Sequence, residues 1–224
     1  MIDFENEHLS LINEYENSAM EIERAIFTKR YHLNSSHYSL LSIQSISILY
    51  SFWEGFICRS FQMYVDYLNG LCLDFSLFSD PIVVYHMETK FKQLLEYPQK
   101  QNKKITFYNK LREHYSTNIH TLTRIINTHN NVGFDELNSL LRTFSLEEYP
   151  EYWDKYRHPN PSLKETLNTF IRFRNGVAHG GDISSEEKIK QDVYSKYRAL
   201  INDLMYDIHN KFMDAIQIQS YRKL

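Results

Sequence analysis

The sequence predicts an all-α protein, and three observations carry that prediction. The 224 residues include only 6 glycines and 5 prolines, so the chain holds few of the tight turns that a sandwich or barrel needs. Hydrophobic residues make up 42% and aromatic residues 15%, which is enough to build a buried core. Long segments place apolar residues at steps of three and four, the period of an amphipathic helix. We expect five or six helices packed as a bundle.

Two long helices open the predicted bundle. The first spans about residues 4–30, and the second, about residues 36–68, is the most apolar and should lie at the centre. The Asn-Gly pair at residues 69–70 and the Asp-Pro pair at residues 80–81 interrupt the helical pattern, because such pairs are typical of turns. A short helix is expected after the second interruption, over about residues 82–95.

A polar, lysine-rich stretch follows, and it has two interpretations. The segment YPQKQNKKITF, residues 97–107, is either an exposed loop, which its composition favours, or a patch that contacts phosphate. Residues 110–126 can form a helix, whereas NTHNNVG, residues 127–133, has the composition of a loop. A short helix is predicted at residues 134–144, and residues 149–161 are expected to be irregular.

The next predicted helix has a defined start and end. Ser162 can cap its N-terminus, and Glu165 three residues later completes a capping box. The apolar stripe on its core-facing side comprises Leu163, Leu167, Phe170 and Ile171. The glycine pair at residues 180–181 ends the helix in this prediction, because glycine takes the left-handed conformation at no steric cost. A last helix is expected over about residues 182–217.

Charge and cysteine content exclude several classes of protein. The formal net charge is −3, so no global positive field exists to hold a nucleic acid, and a polyanion would have to bind at a local patch. Cys58 and Cys72 are too few for a disulfide framework or a zinc site, which favours a reducing, cytoplasmic setting. Residues 38–58 are long enough to cross a membrane, but serines, Gln44 and Glu54 interrupt them. We therefore expect a central bundle helix there, and no membrane partner.

Arg174 and His179 are the residues that the sequence predicts to carry out catalysis. Arg174 follows Phe170 by four residues, so it shares the apolar face, where it either snorkels from the core edge or points into a protected cleft. His179 closes the helix, where the carbonyl dipole favours an imidazolium. An imidazole can move a proton from a ribose 2′-hydroxyl or to the leaving oxygen, and a guanidinium stabilises the charge that builds on the phosphate. RNA cleavage without a metal ion requires these two groups.

The spacing of this pair is not specific by itself. Arg124 and His129 are also separated by four residues. What singles out Arg174 and His179 is the surrounding sequence: a capped amphipathic helix, Asn175 directly after the arginine, a small apolar Val-Ala pair and two glycines.

The segment RNGVAHGG, residues 174–181, resembles the R-x4-6-H motif of the HEPN superfamily, including the polar residue after the arginine. The resemblance extends to ILYSFWEGF at residues 48–56, to residues 130–146 and to residues 182–202. It implies an all-α, HEPN-type up-and-down helical bundle with an elaborated, mainly helical middle insertion. The larger stand-alone members are associated with toxin–antitoxin, abortive-infection and antiviral defence systems.

The resemblance also implies a metal-independent endoribonuclease with no cofactor. HEPN ribonucleases are typically homodimers in which two motif helices meet, so that two Arg/His pairs line one cleft. By position, Arg174 and His179 would be catalytic, and Asn175 would orient one of them or the RNA phosphate. Two histidines would then act as base and acid and leave a 2′,3′-cyclic phosphate and a 5′-hydroxyl.

Glu54 stands between Trp53 and Gly55 in an otherwise apolar helix. Buried charges are nearly always paired, so the structural interpretation of Glu54 is an ion pair with an arginine, with Arg174 as one option. Its functional interpretation is a supporting role in which it orients Arg174. The other histidines show no ligand spacing, so no metal site is predicted.

We expect one domain over residues 1–224, with residues 71–160 an elaboration inserted between the central helix and the motif helix. The expected partners are an RNA substrate, a second copy of the chain and an antitoxin or other defence-system protein. The alternatives are a non-catalytic HEPN module for dimerisation or RNA binding and a regulatory subunit bound to a nucleotidyltransferase. The presence of both Arg174 and His179 favours the enzyme.

Overall fold

The computed structural model describes residues 3–28, 30–129, 131–155, 161–178 and 189–223. Within these ranges the all-α prediction is confirmed, because seven α-helices and two short 3-10 turns account for the regular structure. The helices are α1 (Phe4–Phe27), α2 (Ser35–Gly70), α3 (Asp80–Lys90), α4 (Gln101–His114), α5 (Phe134–Thr143), α6 (Leu163–Ala178) and α7 (Gln191–Ile218).

Helix α2 forms the centre of the bundle and packs against α1, α6 and α7. Its fully buried side chains run along most of its length and include Trp53, Phe56, Ile57, Phe61 and Tyr64. Burying a side chain of this size stabilises the fold by about 1.5–3 kcal/mol. By length and composition alone α2 is also apolar enough to cross a membrane. A core helix meets the same criterion, and burial along the bundle accounts for the apolar composition of α2.

The lysine-rich segment contains a helix that the loop prediction missed. Residues Gln101–His114 form α4, so the exposed-loop interpretation is wrong for most of that segment. The helix packs through Phe107, Leu111 and His114, which follow one another at steps of four and three. A stripe of three residues among lysines is too short to stand out in the sequence.

The helix predicted over residues 110–126 is likewise wrong beyond His114. The backbone after His114 is not helical, and it is held mainly by other elements; the N–H of Phe75, for example, donates to the carbonyl oxygen of Asn118 at 2.7 Å. The amide of Asn69 exchanges two hydrogen bonds with the main chain of Leu122, at 2.7 and 3.1 Å. The Tyr85 hydroxyl lies 2.8 Å from the carbonyl oxygen of Thr123.

The start of α6 is confirmed in detail. The Ser162 hydroxyl accepts the N–H of Glu165 at 3.2 Å, and the Glu165 carboxylate accepts the N–H of Ser162 at 2.9 Å. This is the reciprocal capping box that the sequence predicts. The predicted glycine end of the helix, residues 180–181, lies outside the described residues. Helix α7 ends at Ile218, where Gln219 takes a left-handed conformation with φ 54°.

A buried pair of histidines joins α1 to α7. The Nδ1 atoms of His8 and His209 lie 3.0 Å apart, so one ring donates to the other and both are neutral in the folded protein. Burial, together with a smaller effect of the neighbouring His209, lowers the pKa of His8 from 6.5 to about 3. Burial also lowers the pKa of His209, against the opposing effect of Glu5.

This pair makes folding stability sensitive to acid. The unfolded chain protonates His8 as the pH falls below about 6.5, whereas the folded chain resists protonation down to about pH 3, so stability is lost over that interval. Over this interval, a histidine that is kept neutral by the fold lowers the free energy of unfolding by about 1.4 kcal/mol for each unit by which the pH falls. In urea denaturation between pH 7 and pH 4, His8→Gln should show a shallower loss of stability than the wild type. The exposed His37→Gln is the control and should keep the wild-type slope; equal slopes for all three proteins would contradict the prediction.

Candidate functional site

Arg174 lies on the last turns of α6, and its guanidinium covers the ring of Tyr50 on α2. The guanidinium carbon is 4.3 Å from the ring centroid. Tyr50 is buried and Arg174 is half-buried, so this cation–π contact is largely shielded from water. Such a contact contributes about 2 kcal/mol when desolvated. The arginine therefore lies at the edge of the core, held between two helices.

Two neutral amides orient the guanidinium. Its Nη1 donates to the side-chain oxygen of Asn175 at 2.9 Å, and its Nη2 donates to that of Asn131 at 3.4 Å. The amide of Asn175 thus contacts the arginine, as the first of its two expected roles requires. Asn131 comes from a different part of the chain, the loop before α5, and the sequence did not indicate it.

The loop that supplies Asn131 is fastened to α2 by buried hydrogen bonds. The N–H of Val132 donates to the Tyr50 hydroxyl at 2.7 Å, and the indole N–H of Trp53 donates to the carbonyl of Val132 at 2.9 Å. Gly133 lets the loop approach α6 closely, because a Cβ there would lie 2.6 Å from the Ile171 Cδ1 atom. The position of Asn131 is consequently set by contacts on both sides.

Glu54 on α2 also binds this loop. Its Oε1 accepts a hydrogen bond from the Thr128 hydroxyl at 2.8 Å, at the start of that loop. An ion pair with an arginine was expected, yet among the described residues Glu54 forms none with Arg174 or with another cation. Trp53 and Glu54 follow Tyr50 by three and four residues, so both lie on the face of α2 that carries Tyr50, and all three hold one loop. That spacing is the signal in the sequence for the contact between α2 and the loop before α5.

The pKa of the Tyr50 hydroxyl is raised, because burial disfavours the phenolate. The hydrogen bonds from Arg174 and Val132 act in the opposite direction, and Glu54 adds to the rise. Tyr50 is therefore neutral over the physiological range, with its oxygen available as an acceptor for Val132.

His179 lies outside the described residues. The other pair with the same spacing, Arg124 and His129, lies within them. Arg124 binds Asp66 at 2.9 Å, whereas His129 binds Glu136 at 3.1 Å. Arg124 and His129 therefore bind different partners. Among the described residues no group of three or more His, Cys, Asp or Glu side chains is arranged to hold a metal ion.

Comparison with known proteins gives one match. The model of the RiboL-PSP-HEPN family matches residues 6–214 of the chain. No curated protein and no solved structure matches it. The matched range contains most of α1, the whole of α2 to α6 and most of α7, together with Arg174, Asn175, Glu54 and the Asn131 loop.

The Tyr50 hydroxyl is expected to stabilise the site without being needed for the core. Tyr50→Phe keeps the ring under Arg174 but leaves the buried N–H of Val132 without its acceptor, which costs about 1–3 kcal/mol. Urea denaturation should show that loss, and Tyr38→Phe at an exposed position should show none. A Tyr50→Phe protein as stable as the wild type would mean that water satisfies the N–H.

Proposed function

The chain belongs to the RiboL-PSP-HEPN family, a HEPN-superfamily domain, and from that premise we propose that it is a metal-independent endoribonuclease. HEPN domains are often ribonucleases. We further propose that it acts as a toxin or antiviral defence effector, in the manner of the stand-alone HEPN proteins that its motif resembles. The observation that carries the proposal is the fixed orientation of Arg174, which precedes His179 by five residues.

The proposed reaction uses the 2′-hydroxyl of the RNA as nucleophile. The imidazole of His179 removes its proton, the 2′-oxygen attacks the adjacent phosphorus, and the bond to the 5′-oxygen breaks. A second histidine, from the partner subunit, protonates the departing 5′-oxygen. The products are a 2′,3′-cyclic phosphate and a 5′-hydroxyl.

Arg174 is proposed to bind the phosphate as negative charge builds on its oxygens. A donor that is already oriented needs no rearrangement in the transition state, which is why preorganised charge is effective in catalysis. Its contacts with Tyr50, Asn175 and Asn131 supply that preorganisation. Asn175 and Glu54 are assigned supporting roles: Asn175 orients the guanidinium directly, and Glu54 acts through the loop that carries Asn131.

Cleavage in the presence of excess EDTA tests the assignment. The wild type should cut single-stranded RNA, and His179→Ala should lose about 10²–10⁴-fold in rate, the usual contribution of a general acid or base. Arg174→Ala should lose activity as well, whereas Arg124→Ala, from the pair with the same spacing, should retain it. Absence of cleavage by the wild type, or undiminished cleavage by His179→Ala, would refute the assignment.

A homodimer with a shared site is part of the proposal. Sedimentation should give a dimer, and subunit exchange with excess His179→Ala should inactivate wild-type subunits, because each site then lacks one of its two histidines. The specific activity per wild-type subunit should therefore fall as the variant is added. Constant activity per wild-type subunit would show that each subunit works alone.

The second candidate is a non-catalytic RNA-binding or dimerisation module, with an antitoxin or another defence protein as its partner. It is favoured by the contacts of Arg174 within its own subunit, which would serve a structural role equally well. This function predicts RNA binding without any cleavage product. It also predicts that Arg174→Ala lowers the free energy of unfolding through the lost contacts with Tyr50 and Asn175, that a dimer is weakened as a consequence, and that there is no cleavage rate to change.

A further inference from the structure

Positive charge is concentrated in one segment of the chain. Residues 90–114 contain seven lysines and arginines against two glutamates, a net charge of +5 in a protein whose total is −3. The segment comprises the end of α3, the connection that follows and the whole of α4. An acidic protein that carries such a patch has a local site for a polyanion.

The charges of this segment are not neutralised by neighbours. Elsewhere, cations are commonly ion-paired, as in Arg198 with Glu23 and Arg142 with Glu148. Within the described ranges, none of the seven cations of residues 90–114 lies within 4.0 Å of a carboxylate. Six of the seven residues are exposed and Lys104 is partly exposed, so a ligand can reach most of this charge from solvent.

Three of these lysines line a groove of about 520 Å³ between α4 and the preceding connection. We call it the lysine groove, defined by Lys100, Lys103 and Lys110. All three are exposed, and they extend along about 15 Å of helix, at 1.5 Å per residue. The first turn of α4 has no acidic residue and no side-chain cap, so its N–H groups add to the positive potential at one end.

Exposed aromatic rings stand beside the groove. Tyr97 and Tyr108 are each about half exposed, and their hydroxyls lie 3.5 Å apart. The Lys104 ammonium lies 5.3 Å from the centroid of the Tyr97 ring. Exposed rings interleaved with lysines are the features that bind unpaired bases and their phosphates together.

A second groove adjoins the lysine groove and reaches the start of the loop that carries Asn131. Glu96 lines both the lysine groove and this second groove, of about 690 Å³, which reaches His129 on the far side. His129 lies two residues before Asn131, whose amide holds the Arg174 guanidinium. A path along the surface thus leads from the lysines to the loop of the candidate site.

We propose that the lysine groove binds the sugar–phosphate backbone of single-stranded RNA and directs the strand toward Arg174. This inference rests on the proposed function, since it supplies a second contact for the same substrate. An anionic membrane would also attract lysines. RNA is favoured because the groove is concave, has the exposed rings of Tyr97 and Tyr108 nearby and adjoins a second groove that reaches the loop carrying Asn131.

Binding to an RNA that cannot be cut tests the inference in the full-length protein. A fluorescent 20-nucleotide RNA with 2′-O-methyl groups has no free 2′-hydroxyl, so its anisotropy reports binding alone. The triple variant Lys100→Gln, Lys103→Gln and Lys110→Gln should bind at least tenfold more weakly. The slope of log Kd against log salt concentration should be smaller by about 2 for this variant. Each of the three lost phosphate contacts on a single strand accounts for about 0.7 of that slope.

A matched triple variant controls for net charge. Lys164→Gln, Lys196→Gln and Lys223→Gln remove the same charge elsewhere and should bind like the wild type, with both variants keeping wild-type circular dichroism and Tm. Equal affinity of the groove variant and the wild type would overturn the inference. Lysine-dependent binding to vesicles of phosphatidylserine and phosphatidylcholine, with RNA affinity unchanged, would overturn it in favour of a membrane.

The outcomes separate this inference from the proposed function. If the wild type cuts no RNA but binds the methylated strand through the three lysines, the groove is retained and the nuclease is refuted. If it cuts RNA, the groove variant should raise KM and leave kcat unchanged, since binding far from the scissile bond is weakened. Cleavage by the groove variant with an unaltered KM would refute the groove alone.

Discussion

The hydrogen bond between the Val132 N–H and the buried hydroxyl of Tyr50 is the contact on which the site depends. It fastens a loop to the central helix at a buried point, where an N–H without an acceptor is costly. The ring of the same tyrosine carries the Arg174 guanidinium on its face. One side chain thereby couples three segments of the chain that are far apart in sequence, and it fixes the distance between Asn131 and the arginine.

Helix α2 supplies the hydrophobic core and also holds the loop before α5 through polar side chains. Most of its length is apolar and supplies the core, which a long bundle helix requires. One face nevertheless carries Tyr50, Trp53 and Glu54, and each of them satisfies a polar group of the loop before α5. Buried polar contacts add little net stability but exclude alternative arrangements, because a misplaced partner leaves a costly unsatisfied group. The site is therefore defined geometrically by the same helix that stabilises the fold.

Charge is divided unevenly across the molecule. The acidic total keeps most of the surface unattractive to RNA, while residues 90–114 hold an uncompensated excess of +5. Arg174 contributes a single oriented cation at the other end of the path, in a setting shielded by Tyr50. In the proposed function, the first feature would supply affinity for RNA and the second would supply the chemistry.

The sequence alone determined the fold class, the long first and second helices, and the capping box of Ser162 and Glu165, because each follows from spacing within a few residues. It also placed Arg174 on the buried face of its helix. It missed α4, whose short apolar stripe is hidden among lysines. Only the tertiary structure decided that Asn131 meets the arginine and that Glu54 binds Thr128, since these partners are 43 and 74 residues apart. No local period encodes such pairings; they arise when helices pack and every buried polar group must find a partner.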